Sequence, residues 1–270
     1  MSLLSVGGAR MAGPALTPGM SVRNLIYRNY LAYRQGWIFF LTGFLEPVLY
    51  LFSIGVGVGQ MIEGFEFNGQ VVPYAAFVAP GMLAAAAMNG AILDSTYNVF
   101  FKLKYDKLFE SILATPMRTI DVARGEIVWS LLRGGIYSAG FLLVMVLMRL
   151  VESWWALLAL PATLLIGFAF AGAGMALTTY MRSWQDFEYV QLAIIPMFLF
   201  SATFFPITAF DGPLRWVVEA TPLYRAVALC RELTTGAMSM DSLVSVLYLA
   251  AMGAIGLLIA TRRLDKLLLK

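Results

Sequence analysis

The sequence predicts an all-α integral membrane protein with six transmembrane helices, and three observations carry that prediction. Hydrophobic residues make up 60% of its 270 residues and charged ones 13%, whereas soluble domains run nearer half apolar and a quarter charged. The apolar residues gather into six windows, each long enough for the roughly 20-residue helix that a bilayer core requires. Lys and Arg collect at alternate window boundaries: fifteen of the 19 fall on one side and four on the other. Buried helices of a large soluble protein are excluded, because the windows leave too little polar sequence to coat a globule.

In chain order, residues 1–19 form a flexible leader. They lack a compact signal peptide, since Arg10 is followed by Gly, Pro and Thr rather than by an apolar core. The first span then serves as its own insertion signal. Residues 20–36 predict an amphipathic helix lying on the inner interface. At 100° per residue Val22, Ile26, Tyr30, Tyr33 and Trp37 share one arc, with Arg23, Asn24, Arg28, Arg34 and Gln35 opposite. The six-span core fills 37–261, with windows at Trp37–Gly59, Phe77–Val99, Ile127–Met148, Trp155–Met181, Tyr189–Phe210 and Leu243–Thr261. The second and fifth contain polar breaks. Residues 262–270 form a basic tail, and 1–270 make one transmembrane domain. The charge asymmetry puts both termini in the cytoplasm.

Two connections are long enough to hold structure. One runs from Lys102 to Glu126 on the basic side. The other, Ile207 to Ser242 on the outer side, stays rich in Leu, Val, Trp and Ala. There Pro213 and Pro222 suit the first position of two short helices, the second ending near Gly236. Such helices are too short to span, so a half-buried pair at the outer face is predicted.

The chemistry is limited by what is missing. There is no histidine, and Cys230 is the one cysteine, so neither a histidine base nor a thiolate cluster is available. No metal-ligand spacing and no phosphate-cradling G-x-x-x-x-G-K-[ST] loop occurs. Gly55, Gly57 and Gly59 merely alternate. The candidates are instead polar residues inside the windows. Glu46 lies mid-span and precedes Pro47, which frees a backbone carbonyl. Asn89 breaks the second window. Asp94 near the inner end of span two matches Arg133 in depth on span three, so an ion pair is expected. Small residues in spans four and six (Gly167, Ala171, Gly172, Gly174, Ala176, Gly253, Gly256) permit close helix packing.

The basic-side connection reads Leu108-Phe109-Glu110-Ser111-Ile112-Leu113-Ala114-Thr115-Pro116, then Arg118 and Gly125-Glu126. This resembles a segment of type-2 ATP-binding-cassette (ABC) exporter permeases. Phe204-Phe205-Pro206 and Pro222-Leu223-Tyr224-Arg225 with Arg231 resemble the late signature of the same family. Glu46-Pro47 with Tyr50 resembles the branch containing nodulation lipooligosaccharide and drug-resistance exporters. The resemblance covers nearly the whole chain. It departs at Asp211-Gly212, where a small or apolar residue followed by Pro or Gly is the pattern.

What the resemblance implies is a membrane subunit that binds no cofactor itself. ATP and Mg would be held by a separate ATPase, and a second copy of this chain would complete the path. Residues 108–115 would be a coupling helix with Phe109, Ile112 and Leu113 available to dock. Glu110, Leu113, Thr115, Pro116 and Arg118 would be contacts, and the Arg182–Glu188 turn, with Asp186, a second contact. Glu46, Tyr50, Asn89, Asp94 and Arg133 are the candidate path residues; Pro206, Pro222, Tyr224, Arg225 and Arg231 form the outer-helix set. The expected setting is the bacterial inner membrane, with an amphipathic cargo such as a lipid-linked oligosaccharide and with no nucleic acid. Alternatives are a multidrug or antibiotic permease, a membrane-embedded lipid-modifying enzyme, and a scaffold that only recruits an ATPase.

Overall fold

A computed structural model describes residues 18–34, 37–59, 61, 64–67 and 70–268. The leader as far as Thr17, Gln35, residues 269–270, and the side chains of Trp37 and Glu46 lie outside the described residues. The chain is helical almost throughout: α1 (Pro18–Tyr33), α2 (Trp37–Gly57), α3 (Tyr74–Leu93), α4 (Val99–Lys104), α5 (Leu108–Leu113), α6 (Thr119–Leu147), α7 (Ala159–Thr178), α8 (Phe187–Leu199), α9 (Pro213–Ala220), α10 (Pro222–Thr235) and α11 (Met240–Leu268). A small antiparallel hairpin, Phe65–Phe67 with Gln70–Val72, precedes α3 and is the exception to the all-α expectation.

Among the described residues, four helical stretches are long and apolar enough to cross a membrane: Tyr74–Lys104, Thr119–Leu147, Trp154–Thr178 and Met240–Leu268. Three of them, all but Trp154–Thr178, outrun the apolar windows at their basic ends, because hydropathy marks where lipid ends rather than where backbone hydrogen bonding ends. α2, with 21 residues, is also of spanning length. The fifth window behaves differently. α8 has only 13 residues, about 20 Å at 1.5 Å per residue. Pro196 interrupts its ladder, and the chain leaves the helix after Leu199 to pass through Ala202 at φ +56°.

Small residues set the packing. A Cβ on Gly256 would stand 2.4 Å from the carbonyl carbon of Gly172, and one on Gly172 would stand 2.6 Å from the Gly253 oxygen. α7 and α11 therefore touch backbone to backbone, as the small-residue spacing predicts. The core between them and α3 is filled by Met88, Ile166, Met175, Leu223 and Leu249, all essentially sealed.

The long stretch Tyr74–Lys104 is not uniform. Asp94–Asn98 form a π-helical turn. Its cause is local: Thr96 Oγ1 and Ser95 Oγ both donate to the Ile92 carbonyl, at 2.6 and 3.3 Å, and compete with the backbone ladder there. The Ser95 carbonyl accepts instead from Thr178 Oγ1 of α7 at 3.1 Å. Gly174 makes room for this contact, since a Cβ there would lie 2.2 Å from Ser95 Oγ.

Candidate functional site

Two buried charge clusters lie along α6. At its basic end Glu126, almost fully buried, accepts from Lys102 Nζ at 2.6 Å and pairs with Arg28 Nη2 at 3.4 Å. Asn29 Nδ2 reaches the same carboxylate at 3.5 Å, and Asn29 Oδ1 accepts from Arg28 Nη2 at 2.7 Å and Lys102 Nζ at 3.4 Å. One carboxylate between two cations is well compensated, whereas removal of one partner from a buried pair costs about 3–5 kcal/mol. The cluster ties α1 to α4 and α6.

That corrects the expected orientation of α1. Its packed face is Leu25, Asn29 and Tyr33, with Leu25 seated on Gly125, where a Cβ would stand 2.6 Å from Leu25 Cδ1. Arg28, expected on the outward polar arc, turns inward, and Tyr30 is exposed. The periodicity of apolar residues misses this because Glu126 and Lys102, far away in sequence, reward burial of an amide and a guanidinium.

One turn or more along α6, Arg133 Nη2 meets Asp94 Oδ1 at 2.7 Å. The pairing expected from matched depth is present. Asn98 Nδ2 donates to the same oxygen at 2.7 Å, a contact across the π-helical turn. Tyr33 and Tyr137 flank the guanidinium at 5.5 and 5.9 Å from their ring centroids, and Tyr33 also packs on Trp129 at 5.6 Å. Burial pushes the Tyr33 hydroxyl above its ordinary 10.0, with the Asp94 charge adding to the effect. The remaining path candidates are not gathered here. Tyr50 and Asn89 are exposed on the outside of the chain, and Glu46 is on α2 with its side chain undescribed.

The short helix α5 follows α4 and packs against it. Lys107 enters it at φ +48°, Phe109 is completely buried against the core, and Leu113 is half-buried. Glu110, Thr115, Pro116 and Arg118 are exposed. Phe109 is therefore an anchor to its own chain and is not available to dock elsewhere, which corrects the expectation. The aromatic side chain goes where it can bury most area. Arg118 caps the N-terminus of α6 and pairs with Asp121 at 3.3 Å. In the second predicted contact, Asp186 Oδ2 accepts from the backbone N–H of Arg182 at 2.6 Å and of Ser183 at 3.2 Å. The Arg182 bond, then the Ser183 bond, hold its carboxyl below the usual 3.8.

The two short helices expected at Pro213 and Pro222 are present. Pro213 and Pro222 open α9 and α10, Thr221 Oγ1 accepts from Tyr224 N, and Gly236 closes α10 at φ +82°. Gly212, at φ +60°, takes a conformation that favours glycine. Pro206 precedes a single 3-10 turn, Ile207–Ala209, and Arg225 lies 5.8 Å from the Tyr224 ring centroid. Arg231 is buried. Its guanidinium donates to the carbonyls of Ala202 at 2.8 Å, Phe77 at 3.3 Å and Thr203 at 3.5 Å, and stacks over Phe77 at 3.9 Å. It thus closes the backbone groups released where α8 ends. Glu126 was visible in the sequence beside Gly125, yet Asn29 and Lys102 carried no signal that they converge on it.

Apolar helices of spanning length, packed through glycines and braced by buried ion pairs, define a multi-pass membrane protein. Residues 20–234 match the ABC-2 type transporter family, and the chain belongs to it, as a membrane permease rather than a catalyst. It is 32% identical to Nodulation protein J of Rhizobium leguminosarum bv. trifolii, over 84% of this chain and 87% of that protein. It is likewise 32% identical to Nodulation protein J of Rhizobium meliloti (strain 1021), over 77% and 79% of the two chains. The Bradyrhizobium diazoefficiens protein of that name is 30% identical over 76% and 77%.

Proposed function

We propose that this chain is the membrane subunit of an ATP-driven exporter, working as two copies above two separate ATPase chains in the bacterial inner membrane. Its cargo in this proposal is an amphipathic molecule such as a lipid-linked oligosaccharide. The observation that carries the proposal is α5: a six-residue helix pinned by buried Phe109, with Glu110, Thr115 and Pro116 facing solvent on the basic flank. A rigidly anchored, outward-facing helix suits the transfer of force from a partner. The exposed turn around Arg182 and Asp186 would provide a second grip. Nucleotide and Mg would belong to that partner.

Six spans with both termini cytoplasmic are part of the same proposal, supported by the distribution of basic residues. The second copy is supported by what the single chain leaves uncovered. Asn89 presents an amide on the outside of a membrane helix, and most of α8 is exposed. An amide is poorly served by lipid tails, so a protein neighbour or a wet path suits it. The resemblance of Glu46-Pro47 with Tyr50 to the lipooligosaccharide branch, beside the kinship with Nodulation protein J, supports a saccharide-bearing cargo over a simple drug.

Co-reconstitution with the cognate ATPase tests this. Lipid-linked glycans should stimulate hydrolysis and move across the bilayer, and apolar drugs should not. Stimulation by drugs alone would make the chain a multidrug permease; neither transport nor stimulation would remove the exporter reading.

A further inference from the structure

Aromatic rings form a connected track on the basic flank, beside the end of the Tyr74–Lys104 helix. Tyr105 meets Phe101 with centroids 5.3 Å apart, Phe101 meets Trp184 at 5.3 Å, and Trp184 meets Tyr97 at 5.6 Å. Tyr97 in turn stacks on buried Phe187 at 4.1 Å, which fixes the inner end of the track. The rings come from three different segments: the π-helical turn, α4, and the turn leading into α8. Trp184 nevertheless remains 47% exposed and Tyr105 61%. Tyr97 and Trp184 also wall a cleft of about 520 Å³ into which Glu188 and Gln191 contribute polar groups.

We propose that this cleft and its aromatic track bind the sugar rings of the cargo, taking the headgroup up before it enters the membrane path. The inference rests on the saccharide-exporter reading and assigns it a site. Pyranose rings present C–H faces that suit the negative face of an aromatic ring. Their hydroxyl groups suit a carboxylate and an amide placed beside those rings. A bare acyl chain fits less well, since it would desolvate Glu188 without offering a hydrogen bond. A cationic ligand would also pair with Glu188 and stack on the rings, so tetraphenylphosphonium is included in the test as the competing occupant. An ordinary aromatic belt at the lipid boundary needs single rings facing lipid. Here the rings touch one another, and Tyr97, Trp184 and Phe187 line one side of a cleft that Glu188 and Gln191 also border.

The test uses the purified full-length protein with its ATPase in nanodiscs. β-1,4-linked tetrasaccharides, with and without an acyl tail, are titrated and the heat of binding is followed by calorimetry, a readout that survives replacement of Trp184. Saturable binding is expected, retained in Trp184→Phe but weakened roughly tenfold in Trp184→Leu, which keeps apolar bulk and loses the ring. Glu188→Gln should weaken it less, and Trp154→Leu, on the other flank, should leave it unchanged. Equal binding by a sugar-free acyl amide or by tetraphenylphosphonium overturns the proposal, as does absence of saturable binding. Transport of the acylated probe is measured in parallel. Transport that is indifferent to Trp184→Leu rejects the site alone, whereas no transport of any acylated saccharide rejects the exporter reading beneath it.

Discussion

Arg133 lies 2.7 Å from Asp94, and Asp94 is also the first residue of the π-helical turn that interrupts the Tyr74–Lys104 helix. Charge pair and helix irregularity thus occupy the same place. The turn swings Asn98 onto the same carboxylate oxygen, so the pair is held from both ends of a locally widened helix. Such turns gather at working parts of proteins.

Breaking that pair should be costly and reversible by exchange. Asp94→Asn or Arg133→Gln alone should destabilise the chain by about 3–5 kcal/mol, seen as a lower melting temperature in detergent. The exchanged pair Asp94→Arg with Arg133→Asp should recover much of the loss. Failure of the exchange would show that surrounding groups, not mutual attraction, set the two positions.

α1 should detach when its buried clamp is removed. Glu126→Ala leaves Lys102, Arg28 and Asn29 without their shared carboxylate, and a leucine at Gly125 would collide with Leu25. Either change should expose residues 22–33 to hydrogen exchange while α7 and α11 stay protected. Uniform protection in both variants would remove the clamp from the account.

Phe109 and Glu110 should separate anchoring from contact. Phe109→Ala empties a fully buried site and should cost roughly 3–5 kcal/mol. Glu110→Lys alters an exposed residue and should leave melting within about 0.5 kcal/mol while weakening co-purification of the ATPase. If the two variants behave alike in both assays, α5 is not a docking element.

The α7–α11 contact should tolerate no added atom. Gly256→Val meets Gly172 backbone rather than a flexible side chain, and overpacking costs about 1–3 kcal/mol or more. Ala254→Val, on the exposed side of the same helix, should be silent. The ratio of folded yields for these two variants is the measurement.

Acid should loosen the turn before α8. Asp186 accepts most strongly from the Arg182 and Ser183 amides as a carboxylate, and its titration is depressed below 3.8 in the folded chain. The stabilisation is fully present above that ordinary value and is lost as pH falls through the lowered one. Asp186→Asn at pH 7 should therefore reproduce the faster exchange of residues 182–190 that the parent shows only in strong acid, after correction for intrinsic rates.

The sequence by itself determined that this is a multi-pass membrane protein, because composition and window length depend on a solvent property that acts on each segment separately. It also determined the short helices α9 and α10, since Pro213, Pro222 and Gly236 impose their backbone preferences locally. Even the Asp94–Arg133 pair was legible, as two charges at equal depth in lipid have few other partners. Only the tertiary structure decided which way α1 faces, that Phe109 points inward, and that Arg231 closes the carbonyls released by the early end of α8. Those outcomes turn on groups 24 to 154 positions apart in the chain meeting in space, and hydropathy or periodicity holds no record of such meetings.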